Sequence, residues 1–233
     1  MDQRCAVSGC SLSEGTKKRI YLKKRFSTFH NDLIRFRNWL IQNDCQNVCM
    51  ESTGKYYIPV YNALEGHISN VVVANPKWVK AIKGEKDDNK DAKWIADLFK
   101  FGIVRSSYIP EKDIRVLREF TRYQYKLVNM RSSEKNRFQN ALTTGNCKLD
   151  IVFSDIFGKS ASAIVDTILS NDPYTSEDIL SKVHARCKAS HEDVLSAVDG
   201  IQLTQFQKAR IRIVQKHMEY LDSLLDEIQH HID

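Results

Sequence analysis

Two carboxylates, Asp88 and Asp91, begin a stretch with the composition of an amphipathic helix. Because they are three residues apart, a helix would hold both on one face of its first turn. The residues that follow, Ala92, Ile95 and Leu98, repeat at helical spacing and predict a buried side. Two oxygen ligands at the exposed end of such a helix suit a hard divalent cation such as Mg²⁺. The same residues suit an ordinary acidic helix start, where carboxylates favour the unpaired N–H groups, and this stretch alone favours that simpler interpretation.

A third carboxylate, Glu51, closes a short apolar run at residues 47–50 and precedes a glycine turn. An acid at the carboxyl end of a buried strand lies where open α/β sheets commonly place function. Two-metal phosphoryl transfer requires carboxylates that hold cations about 3.5–4 Å apart, to activate a nucleophile and stabilise the leaving oxygen. Glu51, Asp88 and Asp91 would reach that geometry if the strand end and the helix start were neighbours. Spacing alone supports this weakly, because acids near strand ends are common.

The overall composition is that of a soluble globular protein of 233 residues, 42% hydrophobic and 27% charged. No apolar run is long enough to span a membrane, and no secretory signal is visible, so we expect a cytoplasmic protein. The formal net charge of +6 is compatible with a nucleic-acid partner but does not establish one. The six cysteines lack C-x-x-C spacing, which argues against a zinc site and for reduced, mostly buried thiols.

The first 110 residues alternate between strand-like and helix-like segments, which predicts an α/β layer. Residues 5–12 and 19–26 predict the two strands of a hairpin. An amphipathic helix is expected next, capped by Ser27 or Thr28 and with Ile41 among its apolar residues. The further predicted segments are that helix at 29–42, a strand at 47–50, a helix at 59–64, a buried strand at 71–74, a short helix from Asn75-Pro76, and the acidic helix ending near Gly102.

After Pro110 the chain changes to long helical segments. Residues 114–142 contain no glycine or proline, and their apolar residues form a seam for a partner helix at positions 116, 120, 123, 127 and 130. Residues 205–232 repeat apolar residues over three heptads, near the lower limit for a coiled coil, at 211, 214, 218, 221, 225, 228 and 232. These helices would pair either within the chain or with a second copy, which would make a homo-oligomer. Residues 143–200 predict short helices and loops without recognisable chemistry.

The helix at 114–142 is strongly basic outside its seam and has only three acidic residues on it or beside it. Its cations are Arg115, Arg118, Arg122, Lys126, Arg131, Lys135 and Arg137. A solvated helix face explains this pattern as well as a groove for a nucleic-acid backbone does.

Several motifs in fixed order resemble one known family. They are Cys49-Met50-Glu51-Ser52-Thr53-Gly54, Pro59-Val60-Tyr61, Val73-Ala74-Asn75-Pro76, Lys86-Asp87-Asp88-Asn89-Lys90-Asp91-Ala92 with Trp94-Ile95-Ala96-Asp97-Leu98, and Arg118-Glu119-Phe120-Thr121-Arg122-Tyr123. Their order and spacing are similar to those of the DEDD-type insertion-sequence transposases, whose members are guided by a bridge RNA. The resemblance covers residues 49–125 well and residues 17–233 more loosely.

The resemblance implies an RNase-H-like, resolvase-type mixed sheet with flanking helices, followed by an all-α region with coiled-coil-type helices. It also implies four acids that bind Mg²⁺ and act on DNA strands. Glu51 would be the second acid, Asp88 the third and Asp91 the fourth, while Asp87 replaces a threonine that is usual in the family. The implied partners are DNA, contacted by Lys86 and the basic helix, and a guide RNA.

Two departures from the family pattern change what we expect of this chain. The family's first acid lies on a strand ahead of residues 5–12, and Asp2 is the only acid near that place. The family also continues into a domain with a catalytic serine, whereas this sequence stops in the long helix. We therefore expect a catalytic domain at 1–110 without its first strand, a helical region at 111–233, an incomplete two-metal site, and weak or no strand cleavage by this chain alone.

Two other interpretations compete with a transposase. One is a non-catalytic nucleic-acid-binding or helical oligomerisation module, built on the basic helix and the heptad seam. The other is a structural helical partner that binds no nucleic acid. The sequence does not identify a target site or a guide.

Overall fold

The computed structural model describes residues 4–11, 20–79, 88–170 and 173–233, with the backbone alone at 4–11, 20 and 88–91. The chain divides into two compact units, Met1–Pro110 and Glu111–Asp233. Along the first unit the elements are β1 (Arg4–Ser11), β2 (Ile20–Ser27), α1 (His30–Gln42), β3 (Asn47–Glu51), α2 (Tyr57–Leu64), β4 (Asn70–Ala74), α3 (Pro76–Val79) and α4 (Asp88–Lys100). Mixed α/β structure is therefore confirmed for this unit.

The described strands form two sheets of two strands each. β1 and β2 pair antiparallel, with Cys5 opposite Phe26, as the predicted hairpin requires; its turn lies outside the described residues. β3 and β4 pair parallel, and Glu51 is in register with Ala74. No described strand of one pair joins the other pair, so the single mixed sheet that we expected is not seen. The RNase-H-like assignment stays a prediction.

The core of the first unit lies between α1, α2 and the strands beside them. Phe36, Leu40 and Leu64 are almost completely buried there, and α1 contacts both β2 and α2. Phe26 of β2 stacks obliquely on Phe36, with 5.3 Å between the ring centroids. The predicted apolar face of α1 was wrong at Ile41, which is 49% exposed.

The start of α1 differs from the predicted cap. Phe29 is the N-cap residue and makes no side-chain cap hydrogen bond. Ser27 acts one step earlier, because its hydroxyl donates to the Asp32 carboxylate at 2.5 Å and accepts from the Phe29 N–H at 3.3 Å. The hydrogen bond from Ser27 holds the pKa of Asp32 below its usual range. A serine near a helix start was recognisable from sequence, but its hydrogen-bonding partners were not.

The second unit is helical throughout its described part. Its elements are α5 (Lys112–Thr144), α6 (Leu149–Val152), α7 (Lys159–Ser170), α8 (Ser176–Leu180), α9 (His191–Val198) and α10 (Gln205–Ile232). Thr175 caps α8 by accepting the Asp178 N–H, and Ser190 caps α9 by accepting the Asp193 N–H. The short helices and loops predicted for 143–200 are confirmed. The longest of these helices, α7, centres the largest apolar core of the described residues, with Ile164, Val165 and Ile168 fully buried.

The two long helices, α5 and α10, pack against each other within the chain. The seam of α10 follows the predicted repeat, with Ile211, Leu221 and Ile228 buried. On α5, however, Leu127 is the one buried member of the predicted seam, while Val116, Tyr123 and Met130 are about half exposed. The seam of α5 instead runs through positions 120, 124, 127, 131, 134, 138 and 141, which include polar residues. A search for apolar periodicity could not find that register.

Candidate functional site

Glu51 is the last residue of β3, and its half-buried carboxylate is held by the loop that follows. The Thr53 hydroxyl donates to Glu51 Oε1 at 2.8 Å, and the Thr53 N–H donates to the Glu51 carbonyl at 3.0 Å. No described residue donates to Oε2. One carboxylate oxygen is thus fixed by the protein, while the other remains available to a ligand.

The backbone next to Glu51 is hydrogen-bonded to β4, and β4 is bonded on its other side to residues 106–107. The Ser52 N–H donates to the Ala74 carbonyl at 2.8 Å, which extends the parallel ladder one residue beyond β3. On the far side of β4, Ser106 bridges antiparallel to Ala74, and the Ser107 N–H donates to the Val73 carbonyl at 2.7 Å. The carboxyl ends of the parallel strands β3 and β4 lie at one edge of the sheet. The hydrogen bonds at this edge give the Glu51 backbone a rigid support.

Period-two alternation along β3 separates an apolar face from the face that carries Glu51. Val48 and Met50 pack into the core with α1. Cys49 lies on the same side of the strand as Glu51, and burial raises its thiol pKa to about 11. The Cys49 thiol is therefore neutral at ordinary pH, so it offers no thiolate to a metal ion or an electrophile.

The helix that begins at Asp88 packs against β1 and β3. The structure thus brings the element carrying Asp88 and Asp91 to the strand that ends at Glu51. The side chains of Asp88 and Asp91 lie outside the described part, as do Lys86, Asp87 and Asp2 entirely. The apolar stripe of α4 is shallower than predicted, since Ala92, Ile95 and Leu98 are half-buried.

One further acid on α4 is already engaged. Asp97 Oδ1 accepts a hydrogen bond from the Tyr21 hydroxyl at 3.1 Å. Lys93 stands over the same tyrosine ring, with its Nζ 4.4 Å from the centroid. Asp97 and Lys93 thus hold α4 against β2, which separates this structural acid from the candidate ligands on the same helix.

Of the three candidate ligands, Glu51 is the one whose side chain lies in the described part of the structure. Its Oε2 accepts no hydrogen bond from a described residue, and carboxylate oxygens are what Mg²⁺ prefers. Within the described side chains, which leave out those of residues 88–91, no three histidine, cysteine, aspartate or glutamate residues gather as a metal site. The described cysteines are free thiols, one buried and three half-buried, at Cys147, Cys45, Cys49 and Cys187.

A second candidate site is the basic side of α5. Arg118, Arg122 and Lys126 are exposed, and none forms an ion pair with any described residue. They follow Arg115 at spacings of three and four, so all four lie on one face of the helix. This set, Arg115, Arg118, Arg122 and Lys126, is called the basic face below.

The other cations of α5 are committed to contacts inside the second unit. Arg131 donates to Asp222 of α10 at 3.0 Å, and Arg137 pairs with Glu134. Lys135 lies over the Phe157 ring, 4.8 Å from its centroid. The tertiary structure therefore separates Arg131, Lys135 and Arg137, which are engaged, from Arg118, Arg122 and Lys126, which make no ion pair with a described residue.

Two further residues near the sheet edge carry no signal in the sequence that marks them as functional. Trp78 of α3, four residues after the end of β4, is 49% exposed. The Arg105 guanidinium lies over the Trp78 indole, with Cζ 5.0 Å from the ring centroid. Neither residue lies in the motifs quoted above, and their contact joins distant parts of the chain.

Comparison with known proteins identifies one family. The model of the DEDD transposases of IS110-type insertion sequences, described as "Transposase", matches residues 8–146, more than half of the chain. No curated protein matches the chain. Along the described residues, no helix is both long enough and apolar enough to cross a membrane.

Proposed function

Because the chain belongs to the DEDD transposases of IS110-type insertion sequences, we propose that it binds Mg²⁺ through Glu51, Asp88 and Asp91 and acts on DNA strands in transposition. The observation that carries the proposal is the placement of α4 against β3. That packing brings the helix with two of the acids to the strand that ends at the third. An RNase-H-like fold for residues 1–110 is part of the same proposal.

In this mechanism the protein positions oxygen ligands at the edge of a sheet. Thr53 holds Glu51 Oε1 and so orients the carboxylate before a ligand binds, which reduces the side-chain freedom lost on binding. Asp88 and Asp91, on the first turn of α4, would supply the opposing carboxylates. Metal bound there would activate the attacking oxygen and stabilise the leaving one.

The basic face of α5 supports DNA binding, together with Lys86 as a proposed contact beside the acids. Arg118, Arg122 and Lys126 are exposed and make no ion pair among the described residues, so a phosphate backbone would not have to break an existing pair. Contacts between cations and backbone phosphates bind every DNA sequence equally well. Selection of a target by a guide RNA is consistent with such a surface and is part of the proposal.

The long helices support a proposed homo-oligomer of coiled-coil type. α5 and α10 already pair within the chain, yet α5 leaves Val116, Tyr123 and Met130 about half exposed along one line of the helix. These residues, spaced by seven, would form the seam with a second copy. Sedimentation of Tyr123→Glu as a smaller species than wild type is the expected result.

The decisive experiment measures Mg²⁺ binding and strand cleavage in Glu51→Gln. Removing the carboxylate charge while keeping the side-chain shape should weaken Mg²⁺ binding by at least about 10-fold, since even the loss of a residue that only supports a metal ligand costs that much. Any weak cleavage of a supercoiled plasmid by the wild type should disappear in the variant. Glu219→Gln, an exposed glutamate on α10, is the matched control. Equal metal affinity in Glu51→Gln and wild type would refute the assignment.

A non-catalytic nucleic-acid-binding module is the second candidate, because the basic face does not depend on the acids. Arg118→Gln and Arg122→Gln should each lower the salt dependence of DNA binding by about one counterion. Lys216→Gln, on α10, removes the same charge and serves as control. Salt-dependent DNA binding without any Mg²⁺ binding would favour this module over a transposase.

A further inference from the structure

Trp78 is an exposed aromatic ring that the packing of the first unit does not use. Tryptophan is highly buried on average in folded proteins, yet this indole is 49% exposed while its neighbour Val79 is buried. Val79 therefore anchors α3, and Trp78 is left at the surface. An exposed ring next to a buried anchor suggests a binding role.

Two cations stand over this ring and no described acid pairs with either. Arg105 Cζ is 5.0 Å and Lys77 Nζ 5.8 Å from the Trp78 centroid. Both cations are exposed, and neither forms an ion pair with a carboxylate of a described residue. The combination of a π-surface with cations that have no counter-ion suits a ligand with a flat aromatic face and a negative charge.

The backbone holds this cluster in a defined position. The Trp78 N–H donates to the Asn75 carbonyl at 2.9 Å, and the Lys77 N–H donates to Asn75 Oδ1 at 2.9 Å. Arg105 is placed from the other side, since the next residue, Ser106, bridges to Ala74 of β4. The ring and the guanidinium are thus supported by hydrogen bonds to one strand end.

The cluster lies at the same strand ends as Glu51. Ala74 is in register with Glu51, and Trp78 follows Ala74 by four residues. At 3.8 Å per residue the two Cα atoms of Ala74 and Trp78 are at most about 15 Å apart. A nucleic-acid strand a few nucleotides long can therefore span Glu51 and Trp78.

We propose that Trp78 and Arg105 form a stacking site for an unpaired nucleobase of the DNA strand that enters the Glu51 site. The indole stacks on the base, and the Arg105 guanidinium covers it or contacts the adjacent phosphate. This inference rests on the proposed function for the choice of DNA as ligand. Stacking accepts every base, so the site reads strandedness rather than sequence.

The test is fluorescence anisotropy of labelled oligonucleotides with the full chain in EDTA, so that cleavage does not interfere. The probes are a single DNA strand, its duplex, an abasic strand of equal length and an RNA of equal sequence. Trp78→Ala should weaken binding of the single DNA strand about 5- to 150-fold, the range found for loss of one stacked base. Binding of the duplex and of the abasic strand should stay within about twofold.

Variants separate stacking from a general loss of structure. Trp78→Phe keeps a ring and should retain most of the affinity, while Arg105→Gln should weaken single-strand binding. Phe29→Ala removes a ring that is 79% exposed and should change nothing. Wild-type tryptophan emission should be quenched by the single strand, and Trp78→Phe should lose that quenching while its far-ultraviolet circular dichroism stays unchanged.

Each other outcome overturns the inference in a recognisable way. Equal losses for single strand, duplex and abasic strand would mean a structural role for Trp78. A Trp78 effect larger for RNA than for DNA would overturn the choice of ligand. DNA binding that is intact but independent of Trp78 overturns only this inference, whereas absence of any DNA binding by the wild type overturns the proposed function with it.

Discussion

Glu134 offers the sharpest test of how α5 and α10 are held together. Glu134 is only 7% exposed; its carboxylate lies 3.2 Å from His217 Nδ1 of α10 and pairs with Arg137 on its own helix. Removing one member of a fully buried ion pair typically costs about 3–5 kcal/mol, because the other charge is left unpaired. Here the Arg137 and His217 side chains are 58% and 48% exposed, so water can solvate them when the Glu134 carboxylate is removed.

We therefore expect Glu134→Ala to lower the free energy of unfolding by about 1–2 kcal/mol, the value of a hydrogen bond to a charged group plus a small cavity. Glu134→Leu should recover that loss or exceed wild type, since position 134 lies in the seam and an apolar side chain fills it. A double-mutant cycle with His217→Ala isolates the cross-helix contact.

The assay is urea unfolding of the full chain, followed by far-ultraviolet circular dichroism. Glu219→Ala, on the exposed side of α10, is the control and should change stability by less than about 0.5 kcal/mol. A loss above about 3 kcal/mol for Glu134→Ala would refute the reasoning. So would a larger loss for Glu134→Leu than for Glu134→Ala.

Three further predictions concern packing and chemistry at single positions. Leu221→Ala, at a residue 2% exposed in the small α5–α10 cluster, should lower the unfolding free energy by about 2–3 kcal/mol in the same urea experiment, and a loss below about 1 kcal/mol would contradict the seam. Gly145→Ala should lower the unfolding free energy by about 1–3 kcal/mol, because the added Cβ would overlap the Leu203 side chain. A thermal unfolding midpoint equal to that of the wild type would show instead that Leu203 moves aside freely. Cys49 should resist alkylation by iodoacetamide at pH 8, since a pKa of about 11 leaves roughly one thiol in a thousand ionised. Alkylation is followed by mass spectrometry, and modification as fast as that of a free small thiol would refute its burial.

The sequence was sufficient wherever a pattern is local. The α10 seam follows from apolar spacing alone, because each turn of that helix buries an apolar residue such as Ile211, Leu221 or Ile228. The hairpin of β1 and β2 and the strand ending at Glu51 were predicted in the same way. The domain organisation, the Mg²⁺ ligands and the basic-face contacts stay predictions, since no described feature tests them.

The sequence failed where a residue's partner lies on another element. On α5 the seam includes Arg131 and Glu134, which no apolar periodicity selects, because Asp222 and His217 of α10 make their burial possible. The predicted cap of α1 failed for a related reason: Ser27 donates to Asp32 rather than capping the helix itself.

By itself, the sequence determined which residues could do chemistry: carboxylates at a strand end and a helix start, and cations along one helix. Only the tertiary structure decided which of them are free to do it. Asp97 accepts from Tyr21 and Arg137 pairs with Glu134, whereas Arg118 and Arg122 make no ion pair among the described residues. The physical reason is that a charged group is available to a ligand when no nearby group already satisfies it, and that condition depends on contacts between residues distant in the chain.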